Sequence, residues 1–381
     1  MPVITSIADL QVLARQRVPR MFYDYADSGS WTESTYRANE ADFQAIKLRQ
    51  RVAVNMENRS LRTTMVGEAV ALPVALAPTG LTGMQHADGE ILGARAAQAF
   101  GIPFTLSTMS ICSIEDVAAH TTRPFWLQLY VMRDRAFVER LIERARAARC
   151  SALMLTLDLQ ILGQRHKDLK NGLSAPPRPT LANLVNLATK PRWVAGMLGT
   201  RRRGFGNIVG HATSVSDMSS LSAWTQQQFD LSLSGKDVEW IKQRWGGKLI
   251  IKGIMDAEDA RLAVSSGADA LIVSNHGGRQ LDGAQTSIEA LPAIVDAVGS
   301  EIEVHMDGGI RSGQDVLKAV ALGARGVYIG RPFLYGLGAM GRPGVSKCLD
   351  ILRNELDLTM AFCGLRDLQQ VDKKILLPGT F

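Results

Sequence analysis

The 381-residue sequence has little cysteine, only 6% aromatic residues and no long apolar segment. Its four cysteines, Cys112, Cys150, Cys348 and Cys363, are far apart and show no CxxC or histidine-rich spacing. That pattern argues against a metal site and favours a reducing compartment. Because no stretch of about 18 consecutive apolar residues occurs, no segment is predicted to span a bilayer. The first residues pair no basic segment with an apolar core, so we expect no secretory signal and a cytoplasmic location.

Acidic side chains are scarce in one part of the chain, residues 172–234. The net charge is +6, and within this segment Asp217 and Asp230 oppose six cations, which are Arg178, Lys190, Arg192, Arg201, Arg202 and Arg203. The remainder of the chain is nearly neutral. A nucleic-acid-binding protein typically carries a broad basic face, so this distribution excludes nucleic acid as a partner.

Short apolar runs recur along the chain, with amphipathic stretches between most of them. They predict eight strands, at Pro73–Ala77, Pro103–Ser107, Phe125–Tyr130, Ala152–Asp158, Lys248–Gly253, Ala270–Asn275, Glu303–Gly308 and Gly326–Gly330. Eight strands that alternate with helices predict an α/β fold, a closed (β/α)8 TIM barrel. We expect one domain over residues 1–381, with the barrel at 71–381.

Two segments fall outside the barrel pattern. Residues 1–70 predict a mostly helical extension, with Ser6 as the cap of its first helix. Residues 172–234, after the fourth predicted strand, far exceed the usual strand-to-helix loop of about 2–6 residues. Insertions of this length are typical of lids and binding surfaces.

The predicted loop after the sixth strand contains Ser274-Asn275-His276-Gly277-Gly278-Arg279. A histidine at this position can accept a proton near neutral pH, and an arginine can hold a carboxylate through two parallel hydrogen bonds. Active sites of barrels of this type lie at the C-terminal ends of the strands. Those ends also supply Tyr130, Asp158 and Lys252, with Arg165 seven residues beyond Asp158.

The last two strand ends predict a phosphate site. Glycines free backbone N–H groups there, and two arginines add charge, in a set that comprises Asp307, Gly308, Gly309, Arg311, Gly330 and Arg331. Lys252 requires an anionic partner, and a reduced flavin ring is such a ligand. Ser107, Gln128 and Thr156 can bond a polar ring edge, and Ala77-Pro78-Thr79 would lie against it.

These motifs together resemble the FMN-dependent family that oxidises 2-hydroxy acids, which includes glycolate oxidase and the lactate and mandelate dehydrogenases. The resemblance runs from Phe22-Tyr23-Asp24-Tyr25 to Gly330-Arg331-Pro332. Leu106–Cys112, the insertion and Ser274–Gly283 are most similar to bacterial L-lactate dehydrogenases. The resemblance implies FMN as cofactor, oxidation of an L-2-hydroxy acid such as L-lactate, and a homo-oligomer.

The resemblance also implies a role for each residue. His276 would be the base and Asp158 its partner. Arg279 and Tyr23 would hold the substrate carboxylate, Tyr130 would lie at the hydroxyl, and Arg165 would add positive charge. Lys252 would lie beside the edge of the flavin that gains negative charge on reduction.

Several alternatives stay open at this stage. Met109 lies where the family varies beside the substrate side chain, which favours lactate and leaves mandelate open. Gly80 replaces the alanine of typical oxidases, which disfavours oxygen as acceptor. Hydride and carbanion transfer are not distinguished, and an FMN-binding isomerase is a remote alternative that would not need the carboxylate-binding residues.

The insertion bears on the electron acceptor. Its apolar runs Leu184–Ala188 and Trp193–Leu198 alternate with cations that have no evident task in a barrel. This composition favours attachment to an anionic membrane surface, on the inner face of the cell membrane, with electrons passed to a membrane quinone or cytochrome. The alternative is a disordered basic lid that contacts no membrane.

Overall fold

The computed structural model describes residues 3–173, 180–212 and 228–381. The described strands are Thr63–Met65 (β1), Glu68–Val70 (β2), Val74–Leu76 (β3), Thr105–Ser107 (β4), Trp126–Leu129 (β5), Ala152–Thr156 (β6), Lys248–Ile254 (β7), Ala270–Val273 (β8), Glu303–Asp307 (β9) and Val327–Ile329 (β10). Every predicted strand is present, and each end differs from the prediction by at most two residues.

Helices surround these strands. They are Ile7–Arg17 (α1), Arg20–Ala26 (α2), Ser34–Ala45 (α3), Thr82–Gln85 (α4), Gly89–Phe100 (α5), Ile114–His120 (α6), Arg135–Ala147 (α7), His166–Lys170 (α8), Leu181–Ala188 (α9), Pro191–Gly199 (α10), Gly235–Trp245 (α11), Ala257–Ser265 (α12), Ser287–Val298 (α13), Gly313–Ala321 (α14), Arg331–Met340 (α15) and Arg342–Phe362 (α16). Two short 3-10 helices follow, at Leu368–Gln370 and Lys373–Ile375.

The eight strands β3–β10 form one parallel sheet in the order β3-β10-β9-β8-β7-β6-β5-β4. An isolated parallel bridge between Leu76 and Phe104 brings β3 against β4, which closes the sheet into the predicted TIM barrel. The strands are buried on both faces because helices cover the outside and side chains fill the inside. The C-terminal strand ends therefore converge on one mouth.

The N-terminal extension, predicted to be mostly helical, contains the helices α1, α2 and α3. Ser6 caps α1 through a capping box with Asp9. It also contains an antiparallel hairpin, β1–β2, that the sequence analysis did not predict. Met65 and Val66 of this hairpin pack against Trp126 and Tyr328 inside the barrel. The hairpin thus covers the N-terminal end of the barrel, opposite the mouth.

The described part of the insertion is folded against the extension. Trp193 of α10 stacks on Phe22 of α2 at 5.4 Å and donates its indole N–H to the Met84 carbonyl. Asn183 of α9 donates to the Asn171 carbonyl at 2.7 Å. These contacts place the insertion beside the barrel mouth. Arg178 and Asp217, both noted in the sequence, lie outside the described residues.

Two cations of the insertion, Arg202 and Lys190, bind other parts of the protein, contrary to the expectation from sequence. Arg202 bonds Asp88 at 3.1 Å and Asp116 at 2.7 Å, and Lys190 donates to the Gln16 carbonyl. In the described ranges no helix is long and apolar enough to cross a membrane. Within the same ranges no group of three or more His, Cys, Asp or Glu side chains could hold a metal ion.

Candidate active site

A cavity of about 450 Å³ opens at the barrel mouth, where small-molecule sites of this fold lie. Most of the predicted site residues line it. They are Ala77, Pro78, Thr79, Ser107, Tyr130, Arg165, Lys252, His276, Arg279, Asp307, Gly308, Gly309, Arg311, Gly330 and Arg331. Four other predicted residues do not border the cavity. Asp158, Gln128 and Thr156 lie directly behind the residues that line it, whereas Tyr23 points away from it.

His276 and Asp158 form a hydrogen-bonded pair at the cavity wall. The Nδ1 atom of His276 lies 2.9 Å from Asp158 Oδ1, and the imidazole is 22% exposed toward the cavity. Asp158 approaches this closely because residue 253 is glycine, since a Cβ there would lie 2.8 Å from the Asp158 Cβ. His276 itself has φ +58°, a left-handed conformation that costs free energy in a non-glycine residue and is frequent at functional positions.

The protonation states of this pair follow from their surroundings. Burial lowers the pKa of His276 below its ordinary value and outweighs the opposing effect of Asp158. Burial acts to raise the pKa of Asp158, but His276 and Lys252 outweigh it and hold that pKa below its ordinary value. Near neutral pH the carboxylate is charged and accepts the Nδ1 proton. The Nε2 atom then carries a lone pair, which is the arrangement of a general base.

Lys252 lies at the base of the cavity and is almost fully buried. Its Nζ atom donates to Ser274 Oγ at 2.8 Å and lies 3.2 Å from Asp307 Oδ2. Burial acts to lower the pKa of Lys252, but Asp307 and Asp158 outweigh it and raise the pKa above its ordinary value. The side chain is therefore a fixed cation beneath any ligand in the cavity.

Ser107, Gln128 and Thr156 form a buried hydrogen-bonded row beside Lys252. Gln128 accepts from Ser107 Oγ at 3.2 Å and donates to Thr156 Oγ1 at 3.1 Å. Of the three, only Ser107 borders the cavity, so Gln128 and Thr156 sit one step further from a ligand than the sequence analysis expected.

Two arginines converge on one tyrosine at the opposite wall. The guanidinium groups of Arg279 and Arg165 lie 4.9 Å and 5.7 Å from the centre of the Tyr25 ring. Arg165 is paired with Asp168, whereas Arg279 donates to the carbonyls of Tyr25 and Ser28. Burial, together with Arg165, lowers the pKa of Arg279 to about 10, so it stays charged near neutral pH. This wall therefore favours an anion.

The structure corrects the prediction for Tyr23. Its hydroxyl donates to Asp27 at 3.0 Å, and its ring stacks on Tyr335, away from the cavity. Of the two tyrosines on helix α2, Tyr25 is the one that borders the cavity. Positions two apart on a helix point about 200° away from each other, so only one of the two tyrosines can face the cavity. Helical spacing from Met21 and Phe22, which line the cavity, would have selected Tyr25.

The predicted phosphate end combines turned glycines with two cations. Gly308 and Gly309 have φ values of +95° and +81°, and a Cβ on Gly309 would lie within 1.9 Å of the Asn39 carbonyl oxygen. Arg331 donates to the carbonyls of Ala26, Ser28 and Gly277. Among the described residues it has no carboxylate partner, so its charge is available to an anion. Arg311, by contrast, is paired with Glu40 at 2.7 Å.

The family of the chain follows from comparison with known proteins. The model of the family described as FMN-dependent dehydrogenase matches residues 14–378. The chain belongs to this family. It is 45% identical to an L-lactate dehydrogenase of Pseudomonas syringae pv. syringae (strain B728a), over 99% of this chain and 100% of that protein.

Solved structures agree with this family. An (S)-mandelate dehydrogenase described as a monotopic membrane protein superimposes with a TM-score of 0.94 and 34% identity, over 99% of this chain and 100% of that one. A soluble mutant of the membrane-associated (S)-mandelate dehydrogenase from Pseudomonas putida gives a TM-score of 0.83 at 34% identity, over 98% and 99%. The predicted TIM barrel and the predicted cofactor, FMN, are thereby confirmed.

The cavity fits the cofactor of the FMN-dependent dehydrogenases. Its lining is largely apolar, as a flat ring system requires, and Lys252 supplies a cation at its base. Asp307 Oδ1 is buried and has no hydrogen-bond partner among the described residues. The glycine turn at 308–309, Arg331 and Arg311 would hold a phosphate, while Lys252 and Ser107 would contact the ring.

Five aromatic residues that border the cavity of this FMN-dependent dehydrogenase were not predicted from the sequence. They are Phe22, Tyr25, Phe205, Phe229 and Tyr328. Phe205 and Phe229 lie in the insertion, and Phe229 meets Tyr130 edge-on at 6.2 Å. The sequence of the insertion gives no periodicity that would predict the position of Phe205 and Phe229. Their rings lie at the barrel mouth because of tertiary contacts, which the sequence does not reveal.

Proposed function

We propose that the protein oxidises an L-2-hydroxy acid, L-lactate to pyruvate, with FMN as the bound electron acceptor. The observation that carries this proposal is the His276–Asp158 pair facing the same cavity as Arg279, Arg165 and Tyr25. A neutral base and a cationic wall in one cavity suit a substrate with a proton to lose and a carboxylate to hold. The relatives named L-lactate dehydrogenase support the choice of lactate.

His276 Nε2 takes one proton from the substrate, from its hydroxyl group or from C2. Asp158 keeps the ring in the productive tautomer and stabilises the imidazolium that forms, because its carboxylate stays charged. The bound FMN would supply the oxidant, taking up the two electrons and the second hydrogen that leave the substrate. Lys252 supplies positive charge on the side of the cavity where the cofactor would gain negative charge.

The carboxylate of the substrate is held by Arg279, with Tyr25 and Arg165 beside it. Arg279 is oriented by the carbonyls of Tyr25 and Ser28, which fixes its guanidinium before substrate binds. Tyr130, beyond the end of β5, lies at the hydroxyl end of the substrate. Tyr25 takes the position that the sequence analysis gave to Tyr23.

The pair Tyr25 and Tyr23 offers a matched test of this site. Tyr25→Phe is expected to lower kcat/KM for L-lactate by about 10- to 100-fold, because a hydrogen bond to a charged group is lost. Tyr23→Phe, on the other face of α2, should leave kcat/KM within about twofold. Steady-state kinetics on both variants, with FMN content as control, make the comparison. An equal loss in both variants would contradict the assignment of Tyr25.

(S)-Mandelate is the second candidate substrate. Met109, Phe205 and Phe229 give the substrate side of the cavity an apolar and partly aromatic lining, which also suits a phenyl ring. The mandelate dehydrogenases among the solved structures support this alternative. A panel of 2-hydroxy acids separates the two, and we expect the highest kcat/KM with L-lactate.

We propose a membrane quinone or cytochrome, rather than oxygen, as the final acceptor. A Cβ on Gly80 would lie 3.0 Å from the Tyr25 hydroxyl oxygen and 3.4 Å from the Met109 Cβ, so a methyl group would tighten this wall. The family resemblance implies an alanine at this position in typical oxidases, so the glycine favours an acceptor other than oxygen. A quinone analogue is expected to reoxidise the enzyme faster than oxygen does. Faster turnover with oxygen would contradict this choice.

We propose that the insertion attaches the protein peripherally to the inner face of the cell membrane. Four large apolar side chains of α9 and α10 are exposed, Leu181 by 78%, Leu184 by 55%, Val185 by 60% and Leu198 by 68%. Exposed cations accompany them at Arg192, Arg201 and Arg203. Apolar side chains flanked by cations favour an anionic lipid surface. The higher TM-score with the monotopic protein supports this assignment.

Replacing exposed leucines tests the attachment without disturbing the packed face of the insertion. The double variant Leu184→Ser, Leu198→Ser is expected to sediment less with anionic vesicles, because about 1.5–3 kcal/mol of burial is lost per leucine. Flavin reduction by substrate should be unchanged. Leu358→Ser, 55% exposed on α16, is the matched control. Equal sedimentation of the double variant and wild type would contradict the membrane role.

A further inference from the structure

Polar side chains continue into the barrel below the cofactor cavity. Thr105, His305 and Tyr328 lie on β4, β9 and β10, and their exposure is 1%, 0% and 1%. The Tyr328 ring packs among inward-facing side chains such as Trp126 and Ile272, and the His305 ring lies 5.7 Å from it. An apolar core would be the ordinary filling of a barrel at this level. These three residues therefore need an explanation of their own.

Each of the three residues has a buried polar atom without a hydrogen-bond partner among the described residues. The atoms are Thr105 Oγ1, His305 Nδ1 and the Tyr328 hydroxyl, and Asp307 Oδ1 is a fourth on the same strand as His305. A buried polar atom left unpaired is destabilising, because it has given up its hydrogen bonds to water without replacing them. Four such atoms inside one barrel therefore point to a bound partner.

The same residues connect the two ends of the barrel. Tyr328 borders the active-site cavity, whereas Glu303 borders a second cavity of about 510 Å³ at the N-terminal strand ends. Glu303 Oε2 lies 3.0 Å from His305 Nε2. His305 and Asp307 are two positions apart on β9, hence on one face of the strand, and Tyr328 is the register partner of Asp307. Asp307 in turn is bonded to Lys252.

We propose that the barrel interior binds water at Thr105, His305, Tyr328 and Asp307, and that this hydrated column carries protons between Glu303 and the Asp307–Lys252 pair. Water is the ligand class that suits the site, because buried waters typically make about three hydrogen bonds to otherwise unpaired groups. The presence of bound water does not depend on the proposed function. The role of that water in carrying protons beneath the bound FMN does rest on the proposed function.

The members of the column have the protonation states that such transfer needs. Burial, with Glu303 and Asp307, raises the pKa of Tyr328 well above its ordinary value, so its hydroxyl remains a donor. His305 presents one ring nitrogen to Glu303 and the other to the interior. The charged groups around this centre include Glu303 and Asp307 on β9, Glu68 on β2, Lys252 beside Asp307 and Arg325 near Glu303. A proton taken up at one end is matched by one released at the other, and no electron moves.

The first test concerns the water alone. A high-resolution crystal structure of the holoenzyme should contain an ordered water within hydrogen-bond distance of the Tyr328 hydroxyl and His305 Nδ1. Tyr328→Phe should lower the Tm by about 1–3 °C, because the water loses a partner. If the Tyr328 hydroxyl had no partner, Tyr328→Phe would raise the Tm, since removing an unpaired buried hydroxyl relieves its desolvation cost. A dry interior, or a Tm that is unchanged or raised, would overturn the proposal.

Thr105→Val repeats this test with a smaller change if Tyr328→Phe does not fold. Tyr335→Phe is the comparison for a partnered hydroxyl, because Tyr335 donates to Asp27 at 2.6 Å. It should lower the Tm whether or not the barrel holds water, and it calibrates the measurement.

The second test concerns the proton route. The uptake of protons that accompanies dithionite reduction of the bound FMN, followed with a pH indicator dye, should be slower in His305→Phe than in wild type, because the link between Glu303 and the Asp307–Lys252 pair is broken. An equal rate of proton uptake in the two proteins would overturn the proton route. This readout requires only that FMN binds, so a failure of the lactate assignment would leave it intact.

Discussion

Replacing His276 with glutamine is expected to lower kcat by about 10²- to 10⁴-fold while FMN stays bound, because the base is lost. Glutamine can still donate a hydrogen bond to the Asp158 carboxylate but cannot take up a proton. The cationic groups at Lys252, Arg311 and Arg331 are untouched, so cofactor content should equal that of wild type. Single-turnover flavin reduction by L-lactate under anaerobic conditions measures the change directly.

His120→Gln is the matched control for this variant. His120 is exposed on α6, its Nδ1 atom contacts the Asp116 carbonyl, and it does not border the cavity. Its flavin reduction rate should equal that of wild type. Near-normal flavin reduction in His276→Gln would show that another group removes the proton.

Replacing Arg279 with lysine is expected to lower kcat/KM for L-lactate by about 10²-fold, since a point charge cannot replace a two-pronged guanidinium. The substitution also removes the hydrogen bonds to the Tyr25 and Ser28 carbonyls, so the tyrosine beside the substrate loses its support. The loss should appear mainly in KM if the contact is made equally in the ground state, and in kcat if it strengthens during the reaction.

Arg353→Lys controls for the arginine-to-lysine change. Arg353 is half-exposed on α16, where its guanidinium lies over the Phe100 ring and pairs with Asp350. Its kcat/KM should match that of wild type. An unchanged kcat/KM in Arg279→Lys would remove Arg279 from substrate binding.

The barrel could be predicted from sequence because its strands are continuous apolar runs bounded by small or polar residues. All eight runs correspond to a strand, and the strand ends brought His276, Lys252 and Arg279 to one cavity as expected. The hairpin β1–β2 escaped prediction because its strands, Thr63–Met65 and Glu68–Val70, mix polar and apolar residues and form no continuous apolar run.

The errors at the site have physical causes. The prediction of Tyr23 took the run Phe22-Tyr23-Asp24-Tyr25 as a motif and did not use the helical periodicity. Residues two positions apart on a helix lie on opposite faces, so Tyr23 and Tyr25 cannot both face the cavity. The task of Arg202 in the insertion could not be predicted because its carboxylate partners, Asp116 and Asp88, lie 86 and 114 positions away in the sequence. Only tertiary structure reveals pairs of that kind.

Anaerobic mixing of the purified holoenzyme with L-lactate tests most directly whether the chain oxidises a 2-hydroxy acid with its own cofactor. The absorbance of the bound, oxidised FMN is expected to bleach rapidly with L-lactate, with pyruvate formed in equal amount, and to stay unchanged with D-lactate. When a quinone analogue is then supplied, the absorbance of oxidised FMN should recover. When the analogue is removed while L-lactate is still present, the absorbance should bleach again. Oxidised FMN that persists with L-lactate, (S)-mandelate and other L-2-hydroxy acids would contradict the proposed function.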